Sequence, residues 1–336
     1  MIYEASSPGR VCMVGEHCDY ARGKCIALPT SQKVKAKGCK RADELIKIKS
    51  VLDGDELNLG FVLGDDFLDL SHPLSYCRAV IQAVLQKGFV LGGAEIDIES
   101  DLPIGKGLSS SAAVTVTTAK ILNEIFSLGL GSAEIAELAY IAEHDILGIG
   151  CGRMDQLASA HDSFLMLDFS QGTKPHVKRL SKPAVELHLL VGIPTKTKRD
   201  IKNILTHCNQ AYFSPAEKKH FDFKIVLDEY IPEKVIRPME KEIKNGNIEG
   251  IGRMLRLNQE IYDKFFLPVC DEFDAPYLYQ CLKIARENGS VGEKWTGAGG
   301  AGSFLCLARS ERDRNRLKQA LKEGTNSGLQ FIDITI

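Results

Sequence analysis

The chain has 336 residues, of which 44% are hydrophobic and 26% are charged, and its 42 basic and 44 acidic side chains leave a formal charge of −2. This length suits two domains. The near-neutral balance excludes a general nucleic-acid partner, and no apolar run approaches the roughly 18 residues of a membrane span.

Ten cysteines are scattered through the chain. They show no paired CxxC spacing, and no Cys/His grouping resembles a zinc site. The first residues, MIYEASSPGR, lack the charged and apolar regions of a signal peptide. We therefore expect a cytoplasmic protein with reduced thiols.

A polar cluster follows a predicted strand near the N-terminus. Residues 11–14 form a short apolar run between two glycines, and Glu16, His17 and Asp19 come shortly after it. Carboxylates accept hydrogen bonds from hydroxyls, and histidine donates or accepts. The cluster therefore suits a polyhydroxylated ligand; the alternative is an ordinary polar turn between strands.

Periodicity predicts the other elements in chain order. Strands are predicted at 25–29, 94–98, 164–168, 185–193 and 330–336, with one or two exposed antiparallel strands within 32–48. Helices are predicted at 75–87, 112–128, 132–147 with Ser132 as the N-cap, 156–161, from about residue 200, 254–266, 276–288 and 312–322. Residues 52–70 are acidic and predicted irregular, and the basic tract up to residue 182 is predicted to be a surface connection.

The stretch 101–113, DLPIGKGLSSSAA, is a glycine turn that leads through three serines into a predicted helix. Glycine lets the backbone approach a phosphate closely, and the first N–H groups of a helix bind anions. Serine hydroxyls can cap the helix, donate to phosphate oxygens or face a magnesium ion. The alternative is an ordinary serine-capped helix after a tight turn. It is not a Walker A loop, because no G-x-x-x-x-G-K-[ST] passes through it.

Two further stretches have the composition of site-forming segments. Asp155 follows the glycine-broken GIGCGRM and opens a short predicted helix, where it is either a general base or a simple cap. Residues 297–302, GAGGAG, hold four glycines in six positions, which predicts close backbone approach rather than a linker.

In this order, PGR with GEH-x-DY, then LP-x(3)-GLSSSAA, then TG-x-GG-x-G resemble the three signature motifs of the GHMP kinase superfamily, which includes galactokinase and homoserine, mevalonate and phosphomevalonate kinases. The form GEHCDY is most similar to galactokinases. AEHDILGIGCGRMDQ also looks like the galactokinase and arabinokinase pattern around the catalytic aspartate.

The resemblance implies an α+β, two-lobed GHMP kinase fold. The N-terminal lobe, ribosomal-protein-S5-like, would span residues 1–182 with the ATP phosphate loop, and a ferredoxin-like C-terminal lobe would span 183–336. The implied activity is that of an ATP-dependent sugar kinase acting at a hydroxyl, the anomeric one of galactose or a related sugar. ATP and Mg²⁺ are the implied cofactors, and the protein would be a monomer or homodimer.

The resemblance also assigns roles to matching residues. Asp155 would be the catalytic carboxylate, with Arg10 beside it and the transferring phosphoryl group. The positions that match sugar contacts are Glu16, His17, Asp19 and Gly152. Those that would hold the ATP phosphates are Gly105, Gly107, Leu108, Ser109, Ser110 and Ser111, supported by residues 297–302. Ser110 and Glu143 match the magnesium ligands.

Three departures from the galactokinase pattern bear on the substrate. Cys12 stands where galactokinases usually carry Asn, Arg153 replaces an aliphatic residue, and PTKTKRD lacks a tyrosine. One hypothesis is that Arg153, Lys196 or Lys198 serves an anionic sugar such as a uronate or heptose phosphate; the alternative is that all three are solvent-exposed.

Three other activities are weighed against the sugar kinase. GEH-x-DY argues against a mevalonate-like alcohol as the acceptor. The intact SSSAA and Asp155 argue against a non-catalytic sugar sensor. No early G-x-G-x-x-G supports a dinucleotide-binding oxidoreductase.

Overall fold

The structure is a computed structural model that describes residues 1–52, 55–64, 69, 71–171, 175–197 and 200–336. Its strands are β1 (Tyr3–Val14), β2 (Lys24–Lys40), β3 (Leu45–Leu52), β4 (Asp55–Val62), β5 (Ala94–Ser100), β6 (Leu165–Asp168), β7 (His176–Arg179), β8 (His188–Pro194), β9 (Gly292–Trp295), β10 (Phe304–Ala308) and β11 (Leu329–Thr335).

Its helices are α1 (Ser75–Gln86), α2 (Ser110–Phe126), α3 (Ser132–Tyr140), α4 (Met154–His161), α5 (Ile201–Phe213), α6 (Lys218–Ile225), α7 (Arg237–Asn245), α8 (Ile248–Phe265), α9 (Pro276–Glu287) and α10 (Glu311–Gly324). Three π-helical segments (Ile141–Ile146, Val226–Tyr230 and Pro232–Ile236) and a 3₁₀ turn (Asp271–Phe273) complete the helical structure of the described residues.

The chain divides into two compact units. The first holds Met1–Arg10, Ser31–Ile104 and Ser109–Asp162, and the second holds Val11–Thr30, Gly105–Leu108 and Ser163–Ile336. Strands β1 and β2 have residues in both. The lobe boundary at residue 182 stays a prediction.

In the first unit, β5 pairs antiparallel with residues 34–40 of β2 and parallel with β3, which pairs antiparallel with β4. Ile96 and Ile98 are buried while Asp97 between them is exposed, so at β5 one face of the sheet is buried and the other is exposed. Helix α2 packs on that sheet: Thr117 Oγ1 donates to the Val34 carbonyl at 3.4 Å. The serine stretch therefore leads into a helix that is packed on this sheet.

In the second unit, four antiparallel strands run in the order β11-β8-β10-β9. A Cβ at Gly252 would stand 2.3 Å from the Val291 carbonyl oxygen, so only glycine lets α8 approach β9 this closely. Separately, residues 24–27 of β2 pair with β6, and β6 pairs with β7. Helix α8 and strand β9 carry Asn258, Tyr262 and Lys294, the buried polar partners of the segment that holds Glu16.

Most predicted elements are present, and the differences have physical reasons. Strands β4, β7 and β9 were not predicted. The apolar alternation of β4 (Leu57, Leu59 and Phe61) lies in the acidic stretch that was predicted to be irregular, and β7 (HVKR) and β9 (GEKW) are four-residue strands with few apolar residues. The prediction of an irregular segment at 52–70 also falls partly on residues outside the described ranges (53–54, 65–68 and 70).

The predicted helix 132–147 is α3 followed by the π-helical segment, and its N-cap is Gly131, so the assignment of Ser132 as N-cap was wrong. The Gly131 N–H donates to Glu134 Oε2 at 2.8 Å, which satisfies the helix start without a serine hydroxyl. No described helix is both long and apolar enough to cross a membrane.

Candidate active site

Helix α2 begins with an open anion-binding end. Its N-cap, Ser109, is left-handed (φ 60°, ψ 40°) and makes no side-chain cap, so the alternative of an ordinary serine-capped helix is not observed. The first bond accepted by the Ser109 carbonyl comes from the Ala113 N–H at 2.9 Å, which leaves the N–H groups of 110–112 without partners inside the helix. Ser109 Oγ is buried with no hydrogen-bond partner among the described residues. These donors and the helix dipole favour an anion.

The glycine turn before these serines belongs to the second unit, where the glycine-rich run supports it. Ser303 Oγ donates to the Lys106 carbonyl at 2.6 Å, and Lys106 Nζ donates to the Thr197 carbonyl at 3.1 Å. A Cβ at Gly297 would stand 2.5 Å from the Gly107 carbonyl oxygen. Residues 297–303 therefore pack against the backbone of the turn and support it.

Arg10 of β1 holds Asp155, in the first turn of α4. Arg10 Nε donates to Asp155 Oδ1 at 2.7 Å, and Nη2 lies 2.6 Å from the same oxygen. The Arg10 side chain is 5% exposed and that of Asp155 is 27% exposed. One turn later, Ser159 Oγ donates to the Pro8 carbonyl at 2.8 Å. The carboxylate of Asp155 is thus fixed in orientation and remains partly accessible.

Glu143 lies on the π-helical segment and is buried. Its Oε1 accepts from Thr115 Oγ1 of α2 at 3.0 Å and from Gln156 Nε2 of α4 at 2.9 Å. Burial raises the pKa of Glu143 from 4.5 to about 7 because the charged carboxylate loses its solvation. Three helical segments therefore meet at this carboxylate.

The oxygen atoms of Glu143 and of the nearby serines are of the kind that binds a magnesium ion. No group of three or more His, Cys, Asp or Glu side chains suited to a metal occurs in the described part of the chain. Mg²⁺ needs no such cage, because it is usually held by one or two carboxylates together with substrate phosphates. The Glu143 carboxylate and the serine hydroxyls at the start of α2 are the hard oxygen ligands that Mg²⁺ prefers.

Glu16 is held inside the second unit. Tyr262 OH donates to Glu16 Oε2 at 2.5 Å, and Lys294 forms an ion pair with Oε1. The side chains of Glu16 and Lys294 are 1% and 0% exposed. The preceding Gly15 N–H donates to Asn258 Oδ1 at 3.1 Å. Both oxygens of Glu16 therefore already have protein partners.

His17 is buried at φ +64° within an aromatic cluster. Its Nδ1 lies 2.8 Å from Tyr20 OH and its Nε2 lies 3.1 Å from the Ala298 carbonyl oxygen. The ring makes edge contacts with Phe266, Phe273 and Trp295. Asp19, beside it, is half-buried.

The predicted site residues fall into two groups, one in each unit. The first unit holds Arg10, Ser109, Ser110, Ser111, Glu143, Gly152 and Asp155. The second unit holds Gly105, Gly107, Leu108, Glu16, His17 and Asp19.

Sequence reasoning missed four partners of these residues. Thr115 is four residues after Ser111 on α2, so helical spacing was a usable signal for it. Gln156 directly follows Asp155, so only its place beside a predicted site residue marked it. Tyr262 and Lys294 are separated from Glu16 by 246 and 278 positions, and nothing local marks them.

The three departures are also placed. The guanidinium of Arg153 is paired with Glu137, so Arg153 is neither a free cation nor simply solvated. Lys196 is exposed, and Lys198 lies outside the described residues. The backbone N–H and carbonyl of Cys12 both bond to Thr296 Oγ1, at 3.0 and 2.9 Å.

Comparison with known families gives three matches along the chain. The GHMP kinases N terminal domain matches residues 75–163, the GHMP kinases C terminal domain matches 239–326, and the galactokinase galactose-binding signature matches 3–36. Together they include the serine loop, Asp155, the glycine-rich run and the GEH segment.

Relatives match over nearly the whole length. The galactokinase of Pyrococcus furiosus is 25% identical over 94% of this chain and 92% of its own. That of Thermotoga neapolitana is 26% identical over 98% of this chain and 96% of its own. The crystal structure of Lactococcus lactis galactokinase complexed with galactose superposes with a TM-score of 0.84 at 19% identity, covering 99% of this chain and 92% of that one.

The structural match confirms the predicted α+β class and the two-lobed fold. The family matches confirm the resemblance read from the three motifs. The chain therefore belongs to the GHMP kinase superfamily, on its galactokinase-like branch, and is an ATP-dependent sugar kinase.

Proposed function

We propose that the protein transfers the γ-phosphoryl group of ATP to the anomeric hydroxyl of galactose or a closely related neutral sugar, with Mg²⁺ as the metal. The observation that carries the proposal is the arrangement around Glu143. Its carboxylate bonds to α2, which follows the phosphate loop, and to Gln156, the neighbour of Asp155. Galactokinases align along nearly the full length of the chain, which supports galactose as the acceptor.

The phosphate end of the proposed site is built from backbone donors. The loop from Gly105 to Leu108 and the open end of α2 at Ser109–Ser111 would bind the ATP phosphates, because their N–H groups and the helix dipole favour negative charge. The buried hydroxyl of Ser109, which has no partner among the described residues, is a further donor for a phosphate oxygen.

Glu143 and Ser110 are the residues proposed to hold Mg²⁺. The bound ion would neutralise charge on the phosphates during transfer. It would also favour the ionised form of Glu143, against the effect of burial on its pKa.

Asp155 and Arg10 are proposed as the catalytic pair. Arg10 holds Asp155 Oδ1, so the carboxylate is oriented to accept a hydrogen bond, and then the proton, from the acceptor hydroxyl. The Arg10 guanidinium is a fixed cation for the developing charge on the transferring group. Positioning and charge neutralisation are what phosphoryl transfer mainly requires.

On the sugar side, His17, Asp19 and Gly152 are proposed to contact the acceptor. Glu16 is proposed to act mainly by fixing the GEH segment, because Tyr262 and Lys294 engage both of its oxygens. Arg153 is engaged by Glu137, which removes one of the three cations that an anionic sugar would have used. A neutral acceptor is therefore favoured.

The proposal also includes the cellular compartment and the oligomeric state of the protein. All ten cysteines lie among the described residues, outside disulfides, and eight are buried, which supports a reducing, cytoplasmic setting. We propose a monomer or homodimer as the assembly.

The test is ADP release from Mg-ATP across hexoses, pentoses, uronic acids, heptose phosphates and mevalonate. We expect galactose or a neutral relative to give the highest kcat/KM. A preference for a uronate or a sugar phosphate would overturn the neutral-acceptor proposal, and ATP binding without turnover on any acceptor would favour a sensor.

A further inference from the structure

Arg153 is clamped by the last turns of α3. Its Nε and Nη2 donate to the two oxygens of Glu137, each at 3.1 Å, and its guanidinium carbon lies 3.6 Å from the centroid of the Tyr140 ring. Glu137 and Tyr140 are three residues apart and so share one face of the helix. The fork-shaped pairing and the ring stacking both need the planar guanidinium, and a lysine reproduces only its charge.

The clamp joins the two segments that carry the site carboxylates. Arg153 is the N-cap residue of α4, and its carbonyl accepts from the Leu157 N–H at 3.1 Å, so its backbone sets where the helix of Asp155 begins. Tyr140 is the residue directly before the π-helical segment of Glu143, and it stacks on His144 within that segment at 4.8 Å. One side chain therefore ties the start of α4 to the end of α3, directly before the segment of Glu143.

A second tie lies on the buried side of the same junction. Gln156 Nε2 donates to Glu143 Oε1 at 2.9 Å. Gln156 and Arg153 are three residues apart, so the start of α4 is held by an inner hydrogen bond to Glu143 and an outer ion pair to α3. Loss of the outer contact leaves the inner hydrogen bond and the Arg10–Asp155 pair to hold the start of α4.

We propose that Arg153 is a positioning residue that sets the placement of Asp155 relative to Glu143 during phosphoryl transfer. The inference rests on the proposed function, in which these two carboxylates serve the acceptor and the metal. It also accounts for an arginine where the related pattern carries an aliphatic residue: the cation binds the protein, not the substrate. Displacement of a reacting group by about 1 Å is enough to cost up to ~100-fold in rate, whereas a pair this exposed contributes little to global stability.

Arg153→Met removes the clamp and keeps an unbranched, uncharged side chain in place of the stem of the arginine. Lys33→Met is the matched control, because Lys33 pairs with Asp162 at 2.7 Å at the opposite end of α4, with side chains 34% and 38% exposed. We expect kcat to fall about tenfold in Arg153→Met and about threefold in Arg153→Lys, with KM for sugar and ATP within about twofold. Lys33→Met is expected to keep the wild-type kcat.

Glu137→Gln tests the partner. In Arg153→Met/Glu137→Gln, kcat is expected to match that of Arg153→Met alone, because both changes remove the same contact. A multiplicative loss in the double variant would overturn the clamp as the cause.

Amide hydrogen exchange supplies a readout that does not depend on turnover. Exchange in residues 151–157 is expected to be faster in Arg153→Met than in the wild type or Lys33→Met. Unchanged exchange, an unchanged kcat, or a loss confined to the sugar KM would overturn the positioning role. A wild-type protein inactive on every acceptor would instead overturn the proposed function, so the two failures are distinguishable.

Discussion

Glu143→Gln should change how the stability of the ligand-free protein depends on pH. Burial raises the pKa of Glu143 from its ordinary value of 4.5 to about 7. The folded protein thus holds this proton more tightly than the unfolded chain does. Its contribution to stability is full below pH 4.5 and is lost as the pH rises through 7. At ~1.4 kcal/mol per pH unit over that interval, the loss is about 3 kcal/mol.

The glutamine variant keeps an oxygen that accepts from Thr115 and Gln156 but has no proton to lose. The measurement is urea unfolding from pH 4.5 to 8. Relative to Glu143→Gln, the wild type is expected to lose about 3 kcal/mol across this range. Mg²⁺ with nucleotide should reduce that loss, because a nearby dication favours the carboxylate. Glu124→Gln, an exposed change on α2, is the control and should follow the wild type. Parallel pH profiles for wild type and Glu143→Gln would refute the reasoning.

Three further predictions concern the rest of the site. Tyr262→Phe removes the hydroxyl bonded to buried Glu16 and should cost about 1.5–3 kcal/mol of stability and raise the sugar KM. The control Tyr279→Phe, which also loses a carboxylate partner, should leave the sugar KM unchanged. Equal sugar KM values in both variants would contradict the positioning of Glu16. Gly297→Ala places a Cβ 2.5 Å from the Gly107 carbonyl oxygen and should raise the ATP KM. The control Gly129→Ala has a similar positive φ but no atom within 4 Å of the added Cβ, so its ATP KM should stay unchanged. An unaltered ATP KM in Gly297→Ala would contradict the support assigned to residues 297–302. Titration with a thiol reagent should find two cysteines reactive in the native protein, the two that are not fully buried, and ten after unfolding; rapid reaction of most thiols in the native state would contradict their burial.

The signals that predicted the site are local in sequence. Three local patterns each predict a loop at the end of a strand or helix: the glycine-serine stretch, Asp155 after a glycine break, and the GEH cluster. Their order along the chain indicated the family. Thr115 escaped notice although one turn of helix separates it from Ser111, and Gln156 escaped notice although it directly follows Asp155.

Other features depend on packing between distant segments. The Lys294–Glu16 pair joins positions 278 residues apart, and the burial that makes it matter is invisible in the sequence. Arg153 was interpreted as a free cation because its partners, Glu137 and Tyr140, align with it only when α3 and α4 pack together. The exposed strand β7 has four residues and one apolar side chain, and the apolar alternation of β4 lies within an acidic stretch that was predicted to be irregular.

We propose that Asp155, oriented by Arg10, directs the γ-phosphoryl group of ATP to the anomeric hydroxyl of galactose. The most direct test is ³¹P NMR of the product formed from Mg-ATP and galactose by the wild type and by Asp155→Asn. We expect a galactose 1-phosphate signal from the wild type and a rate at least ~100-fold lower from the variant, the range for loss of a general base. Phosphorylation at another hydroxyl, or an Asp155→Asn protein as fast as the wild type, would contradict it.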